Sequence, residues 1–338
     1  MNKKIIVSSV VILIVVVIGF VWWQGMPTPA PKYTGPVEKI RMGVETSLLP
    51  ATVWVAENKG YFLEQGLDAE IKEFSSGRAA LKSMLEEGNL DLATVAQTPV
   101  MFNSFNRSDY AIIAGMVSSS NDVKILVRKD RNISTPADLR GKKIGMTQGS
   151  TGHYFLSLFL TQHGLTLADV ITVDIAATTL PQAIVEGKVD AISTWEPNIN
   201  NAKNALGDNA LLLESRDVFR EDFYFVTFKD WATAHPELLK RFLAAIDRAA
   251  LFIADHPAEA QQIVAQRLKL DPLFVSSIWS DFSFKLFLDQ AILSTIERES
   301  RWAIANKLTD KTAPSNYLDF IYFDALEAVK PEAITIIH

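Results

Sequence analysis

Five short loops hold the polar residues of this chain that could do chemistry on a small molecule. They are Glu45-Thr46-Ser47, Ser75-Ser76-Gly77, Gln97-Thr98-Pro99, Gly149-Ser150-Thr151-Gly152-His153 and Trp195-Glu196-Pro197. Each follows a short apolar run, and most open a helical pattern. Free amides and the positive dipole end at a helix N-terminus favour an anion, so backbone around Ser76–Gly77 and Ser150–Gly152 is expected to hold an oxyanion. Glu196 sits where Gln97 sits in a matching stretch, a carboxylate in place of a neutral amide. A carboxylate taken out of water needs a cation or a donor. Arg78 is the nearest basic residue among these loops. The expected partner of Glu196 is therefore the ligand's own ammonium or ring N–H, with Trp195 as a flat face for packing or a cation–π contact. Together these point to a zwitterion such as an aminosulfonate, or to a nitrogen heterocycle, rather than bare nitrate. Each residue also has a plainer role. Ser, Thr and Gly before a helix are caps and turns, an acidic residue there caps too, Trp is core, and a lone His caps or faces solvent.

Other chemistries are excluded. The sequence has no Walker A loop, no G-x-G-x-x-G, no H-E-x-x-H and no G-x-S-x-G. It has no cysteine, which removes disulfides, thiolate metal sites, cysteine nucleophiles and a lipoprotein anchor. Its five histidines leave little for a metal site, and no cofactor is expected. With 33 basic and 39 acidic residues the net charge is -6, so a nucleic acid partner is disfavoured. Hydrophobic residues at 48% and charged residues at 21% are the balance of a foldable chain.

The elements that must position these loops alternate strand with helix. Strand-like runs at Lys39–Glu45, Ala69–Phe74 and Leu90–Val95 are separated by helical patterns at Leu49–Asn58 and Arg78–Glu87, and Ala111–Val117 and Val123–Val127 follow as strands. A second series places strands at Lys143–Thr147, Val170–Ile175 and Val189–Thr194, with helices at Thr151–His163 and Leu180–Glu186. Such alternation predicts βαβ units and a parallel sheet. The two series match: Glu87-Gly88-Asn89-Leu90-Asp91 recurs as Glu186-Gly187-Lys188-Val189-Asp190, and Met42-Gly43-Val44 aligns with Ile144-Gly145-Met146. Two similar lobes are expected, with ligands beyond the carboxyl ends of the strands. From His235 onward the pattern is almost all helix, with Pro236 and Pro257 at first helical positions and later helices at Glu297–Lys307 and Tyr322–Val329.

The N-terminus is a different material. Lys3 and Lys4 precede an uncharged run, and Ile5–Trp23 is apolar over nineteen residues, ending in two tryptophans. That length fits a spanning helix, and the small-residue exit of a cleaved signal is poor. The expectation for residues 1–25 is a signal anchor retained in the cytoplasmic membrane, with a cleaved signal peptide as the alternative. Residues 26–36 hold four prolines and read as a stiff spacer.

The stretch ATVWVAENKGYFLEQGLDAEIKEFSSGRAALKSMLEEGNLDLATV, together with PADLRGKKIGMTQGSTGHYFL, the Trp195-Glu196-Pro197 turn and HPELLKRFLAAIDRAALFIADHPAEA, resembles the solute-binding proteins of ABC importers. The branch is the nitrate, taurine and alkanesulfonate group, which has thiamine-pyrimidine-binding relatives. The resemblance runs from about Ile40 to the end. It implies an α/β, two-lobe periplasmic-binding-protein fold (type II), each lobe a mixed sheet flanked by helices, with the ligand cleft between them. It implies lobe 1 at residues 37–122 plus 224–338 and lobe 2 at 123–223. The family's cleft loops fall on Thr46, Ser76, Gly77, Gln97, Thr98, Ser118, Ser119, Ser150, Thr151, Gly152, His153, Trp195 and Glu196. The cysteine-rich segment of the pyrimidine-synthesising relatives is missing, which counts against that enzyme activity. The implied protein is a monomeric, exported binding component that closes on a small polar organic solute and delivers it to the importer's permease subunits. A membrane-tethered ligand sensor is the alternative. An enzyme on the same fold, for which only His153 and Glu196 offer themselves, is a weaker one.

Overall fold

The computed structural model describes residues 33–216 and 218–337. The expected membrane segment Ile5–Trp23 and most of the proline-rich spacer lie outside the described residues. Residues from Gly35 onward form one compact unit. Among the described residues no helix is long and apolar enough to cross a membrane.

Two sheets organise that unit. The first has strands β1 (Glu38–Glu45), β2 (Leu67–Phe74), β3 (Leu92–Ala96), β4 (Tyr110–Ser119), β10 (Glu221–Phe228) and β11 (Phe282–Phe287), in the order β11-β4-β10-β3-β1-β2. The second has β5 (Lys124–Arg128), β6 (Lys143–Met146), β7 (Ile171–Asp174), β8 (Ala191–Thr194) and β9 (Ala210–Leu213), in the order β7-β6-β8-β5-β9. The chain crosses between the sheets twice, at residues 120–123 and again at 214–220. Helices Ala51–Asn58, Gly77–Glu87 and Gln97–Ser104 follow β1, β2 and β3, and helices Thr151–Gln162, Leu180–Val185 and Asn198–Leu206 follow β6, β7 and β8.

The purely parallel expectation is corrected. β1 pairs in parallel with β2 and β3, and β6 with β7 and β8, but β10 runs antiparallel between β3 and β4, and β5 runs antiparallel to β8 and β9. Both sheets are mixed. The all-helical C-terminus is corrected as well, because Phe282–Phe287 adds an edge strand to the first sheet, and the later helix runs over Gln290–Ala305 rather than Glu297–Lys307. Phe282, Phe284 and Leu286 alternate with polar residues, which suits a half-covered edge.

The repeated motifs have a shared physical basis. Gly88 and Gly187 end their helices at φ of 64° and 72°, the left-handed region that glycine enters without strain. Asp91 then accepts the Arg41 N–H at 2.8 Å, and Asp190 accepts the Lys143 N–H at 2.9 Å, so each aspartate ties the next strand to the start of the first. The apolar face of helix Pro236–Asp255 supplies Phe242, stacked on Phe62 at 5.8 Å and edge-on to Phe225 at 4.9 Å.

Candidate functional site

Where the loops of the two sheets meet, a small chamber of about 20 Å³ remains, room for a water-sized group. Glu45, Leu49, Ser76, Gly77, Arg78, Ala96 and Pro99 line it from the first sheet's loops, Thr147, Ser150, Thr151 and Trp195 from the second's, and Glu221 and Phe223 from the start of β10. Arg78 and Pro99 also line an outer groove of about 500 Å³, with Phe102, Asn103, Gln148, Gly149 and Asp174 on its walls. That volume is typical of a small-molecule site.

The chamber is acidic. Glu45 ends β1 facing inward, and its Oε2 accepts the Gly77 N–H at 2.6 Å. This carboxylate takes the Gly77 N–H, one of the amides that the sequence assigned to a ligand oxyanion, while Ser76 Oγ accepts the Ala79 N–H at 3.2 Å; the Ser150–Gly152 amides are not so occupied by Glu45. Burial pushes the Glu45 carboxyl up to about 7, opposed by the Gly77 N–H and by Trp195 and Ser47 beside it. Glu221 and Asp122 lie at the two crossings and are 3% and 2% exposed. Burial pushes both above the ordinary carboxylate range; Asp122 raises Glu221 further, whereas Lys124 and the hydrogen bond with Glu221 oppose the rise at Asp122. Glu45 Oε1, Asp122 Oδ2 and Glu221 Oε2 are buried with no donor.

Glu196 receives a different environment from the one expected. Lys124 Nζ donates to its Oε1 at 3.0 Å, and the Asn200 N–H donates to its Oε2 at 3.0 Å. The carboxylate is therefore paired and caps helix Asn198–Leu206, and it does not line the chamber. The expectation that only a ligand could pair it is corrected by Lys124, which is hidden in β5 and far from the loops in sequence.

Of the residues singled out from sequence, Ser76, Gly77, Ser150, Thr151 and Trp195 line the chamber, and Thr46, Gln97, Thr98, Ser118, Gly152, His153 and Glu196 do not. Thr46 is exposed and donates to the Phe74 carbonyl at 3.2 Å. Gln97 clasps the second crossing, its Nε2 donating to Arg220 O at 2.9 Å and its Oε1 accepting the Asp222 N–H at 2.8 Å. Thr98 is buried beside Glu299. Ser118 sits within the sheet opposite Asp222 and Ser283. Gly152 packs on β8: a Cβ there would meet the Ser193 carbonyl oxygen at 2.7 Å. His153 is buried, and burial pushes its imidazole down to about 4. Its Nδ1 faces the Gly149 N–H at 3.4 Å and its ring meets Trp302 edge-on at 5.1 Å.

Sequence reasoning named the loop of Glu45 but took Thr46 from it as the site residue, and it missed Glu221, Asp122, Lys124 and Trp302. An acidic residue at the last position of an apolar strand was the available signal for Glu45. Trp302 projects from helix Gln290–Ala305 of the first sheet's side and binds the second: its Nε1 donates to Ser157 Oγ at 2.9 Å, and its ring meets Tyr154 at 5.0 Å and Phe102 at 6.2 Å. Among the described residues no group of three or more His, Cys, Asp or Glu is placed to hold a metal ion.

Comparison with known proteins fits this geometry. The taurine-binding periplasmic protein of Escherichia coli K12 is 27% identical over 220-odd residues, covering 64% of this chain and 67% of its own. The alkanesulfonate-binding protein SsuA of Xanthomonas axonopodis pv. citri, solved with MOPS bound, superposes with a TM-score of 0.72 at 20% identity over 86% of this chain and all of its own. The ligand-binding component of an ABC-type import system from Staphylococcus aureus superposes with a TM-score of 0.72 at 14% identity over 87% and 99% of the two chains. These superpositions give the periplasmic-binding-protein fold. The family described as NMT1/THI5 like matches residues 50–260, well over half of the sequence, and the chain belongs to it.

Proposed function

We propose that this chain is the solute-binding component of an ABC importer. It captures a small polar organic molecule in the cleft between its sheets and delivers it to the permease. The observation that carries the reading is the chamber itself, lined by loop residues of both sheets at the point where the chain crosses twice. A ligand placed there touches both halves, so its binding energy favours the closed arrangement over an open one. Glu221–Phe228 is a strand of the first sheet, so the boundary expected at 223 moves to 220, and residues 37–122 with 221–338 and residues 123–220 then move as two lobes. The named relatives bind sulfonates or serve importers, and that supports transport as the setting.

Catalysis has little support. The two groups that the sequence offered as acid and base are spent elsewhere: His153 is held neutral against Trp302, and Glu196 is paired with Lys124. The apolar run Ile5–Trp23 is read as a retained anchor that tethers the binding unit at the outer face of the cytoplasmic membrane, and N-terminal sequencing of the native protein beginning near residue 26 or 31 would refute the tether. The function is tested by thermal shift across sulfonates, nitrate, amino acids and pyrimidines, since a ligand that binds only the folded state raises the melting temperature. Small-angle scattering of a hit should show a more compact particle, and the compound should be recovered unchanged. A ligand that binds without compaction, or that is chemically altered, would overturn the reading.

A further inference from the structure

The inner chamber is matched to a cation. Resting on the solute-capture reading, we infer that the solute inserts a cationic nitrogen with N–H donors, a primary ammonium, amidinium or amino-heterocycle, between Glu45 and Glu221, and that no sulfonate or other oxyanion occupies this position.

The Gly77 N–H at the start of its helix, the donor best placed for an anion, is already taken by Glu45 at 2.6 Å. What the chamber has in surplus is acceptors. Glu45 Oε1 at the end of β1 and Glu221 Oε2 at the start of β10, both in the first sheet, are buried at it without a well-placed donor, and Asp122 lies against Glu221. The buried lysine nearest them, Lys124, donates to Glu196 at 3.0 Å and acts on Asp122 through its charge, and it does not line the chamber. Ser150 adds a further acceptor, because its own hydroxyl proton goes to the Thr147 carbonyl at 2.7 Å. Buried acceptors without donors cost free energy, and an N–H-bearing cation relieves several at once. Trp195 and Phe223 add aromatic lining to the chamber. The chamber's size fits an ammonium or amino head, and the outer groove past Arg78 has room for the rest of the molecule. The groups that face this position are Glu45, Glu221 and Asp122, with Lys124 and Glu196 behind them and Arg78 at the rim. Burial favours the protonated acids in the empty cleft, so an entering cation displaces protons.

The test compares matched probes on the full chain at about pH 7, where burial leaves protons on the acids for an entering cation to displace. Taurine, its ammonium-free counterpart isethionate and its sulfonate-free counterpart ethanolamine are titrated by calorimetry. Methylammonium chloride is compared with sodium chloride at equal ionic strength by thermal shift. Methylammonium should raise the melting temperature above sodium in the wild type, and probes with an ammonium should outbind isethionate. Glu221→Gln and Glu45→Gln, which keep the side-chain shapes, should weaken ammonium probes at least about tenfold, the worth of a buried charge-assisted hydrogen bond. Calorimetry in buffers of different ionisation heat should show proton release. Isethionate binding as tightly as taurine, with no loss in either variant, overturns the cation seat and leaves solute capture standing. Equal melting shifts in the two salts with no proton release overturn it as well. Failure of any binder to compact the particle in scattering counts against solute capture, whatever the probe's charge.

Discussion

Replacing Glu45 by glutamine isolates the cost of placing an acid at the chamber. The carboxyl is 3% exposed, and burial moves it from an ordinary 4.5 to about 7. The folded chain holds this proton more tightly than the unfolded chain. Its contribution to stability is therefore full below about pH 4.5 and is lost as pH rises through about 7. That difference corresponds to roughly 3 kcal/mol at 1.36 kcal/mol per unit. Glutamine keeps an oxygen for the Gly77 N–H and has nothing to ionise, so the helix stays capped. Urea denaturation of both proteins between about pH 5 and pH 8 measures the effect. The variant should lose less stability than the wild type over that range, by about 3 kcal/mol, and should be the more stable protein at the alkaline end. Asp122 and Glu221 remain in both proteins, and losing the Glu45 charge removes one cause of their own rise, which flattens the variant's profile in the same direction. Parallel profiles would mean that Glu45 is no harder to ionise in the fold than out of it, and the argument from burial would fail.

Gly152→Ala should destabilise by roughly 1–3 kcal/mol in the same assay, because the new Cβ meets the Ser193 carbonyl oxygen at 2.7 Å and that backbone cannot yield cheaply. An unchanged midpoint would show that the helix shifts freely on β8. Lys124→Met leaves Glu196 buried without its cation and should cost about 3–5 kcal/mol, with much of it restored in the Lys124→Met, Glu196→Gln pair. A double variant no better than the single would deny the coupling. Trp302→Leu removes the hydrogen bond to Ser157 and the ring contacts to His153 and Tyr154 that join the two sheets' helices. Small-angle scattering of the unliganded variant should show a larger radius than wild type, and an identical profile would mean that other contacts hold the cleft shut.

Much of the fold was legible because its signals are local. The strand runs near β1–β8 and the helices between them follow hydrophobic period, and Gly88 and Gly187 mark helix ends through a backbone angle that glycine enters most easily. β10 and β11 were not legible as sheet members, because their place is decided by partners far away: Phe223-Tyr224-Phe225-Val226 has the composition of a strand, but nothing local says that it runs antiparallel between β3 and β4. The site suffered from the same limit. In Glu45-Thr46-Ser47 the alternation of side chains along the strand decides which residue turns inward, and it is Glu45, while Thr46 is exposed. Lys124 and Glu196 are neighbours only because β5 and β8 pair with Lys124 opposite Thr194. Loop composition identified where the cleft would form; its charge depended on strand ends and crossings.

The placement of β10 has a consequence for how the chain is made. All five strands of the second sheet come from one continuous stretch, residues 124–213, so that sheet has every partner it needs before residue 221 is synthesised. The first sheet begins earlier in the chain but stays split, with β3 and β4 lacking the strand between them until Glu221–Phe228 emerges. In chain order the later-encoded sheet is complete first, and the earlier one needs a strand that comes about a hundred residues after β4, the kind of long-range closure that slows folding and leaves edges exposed to other chains.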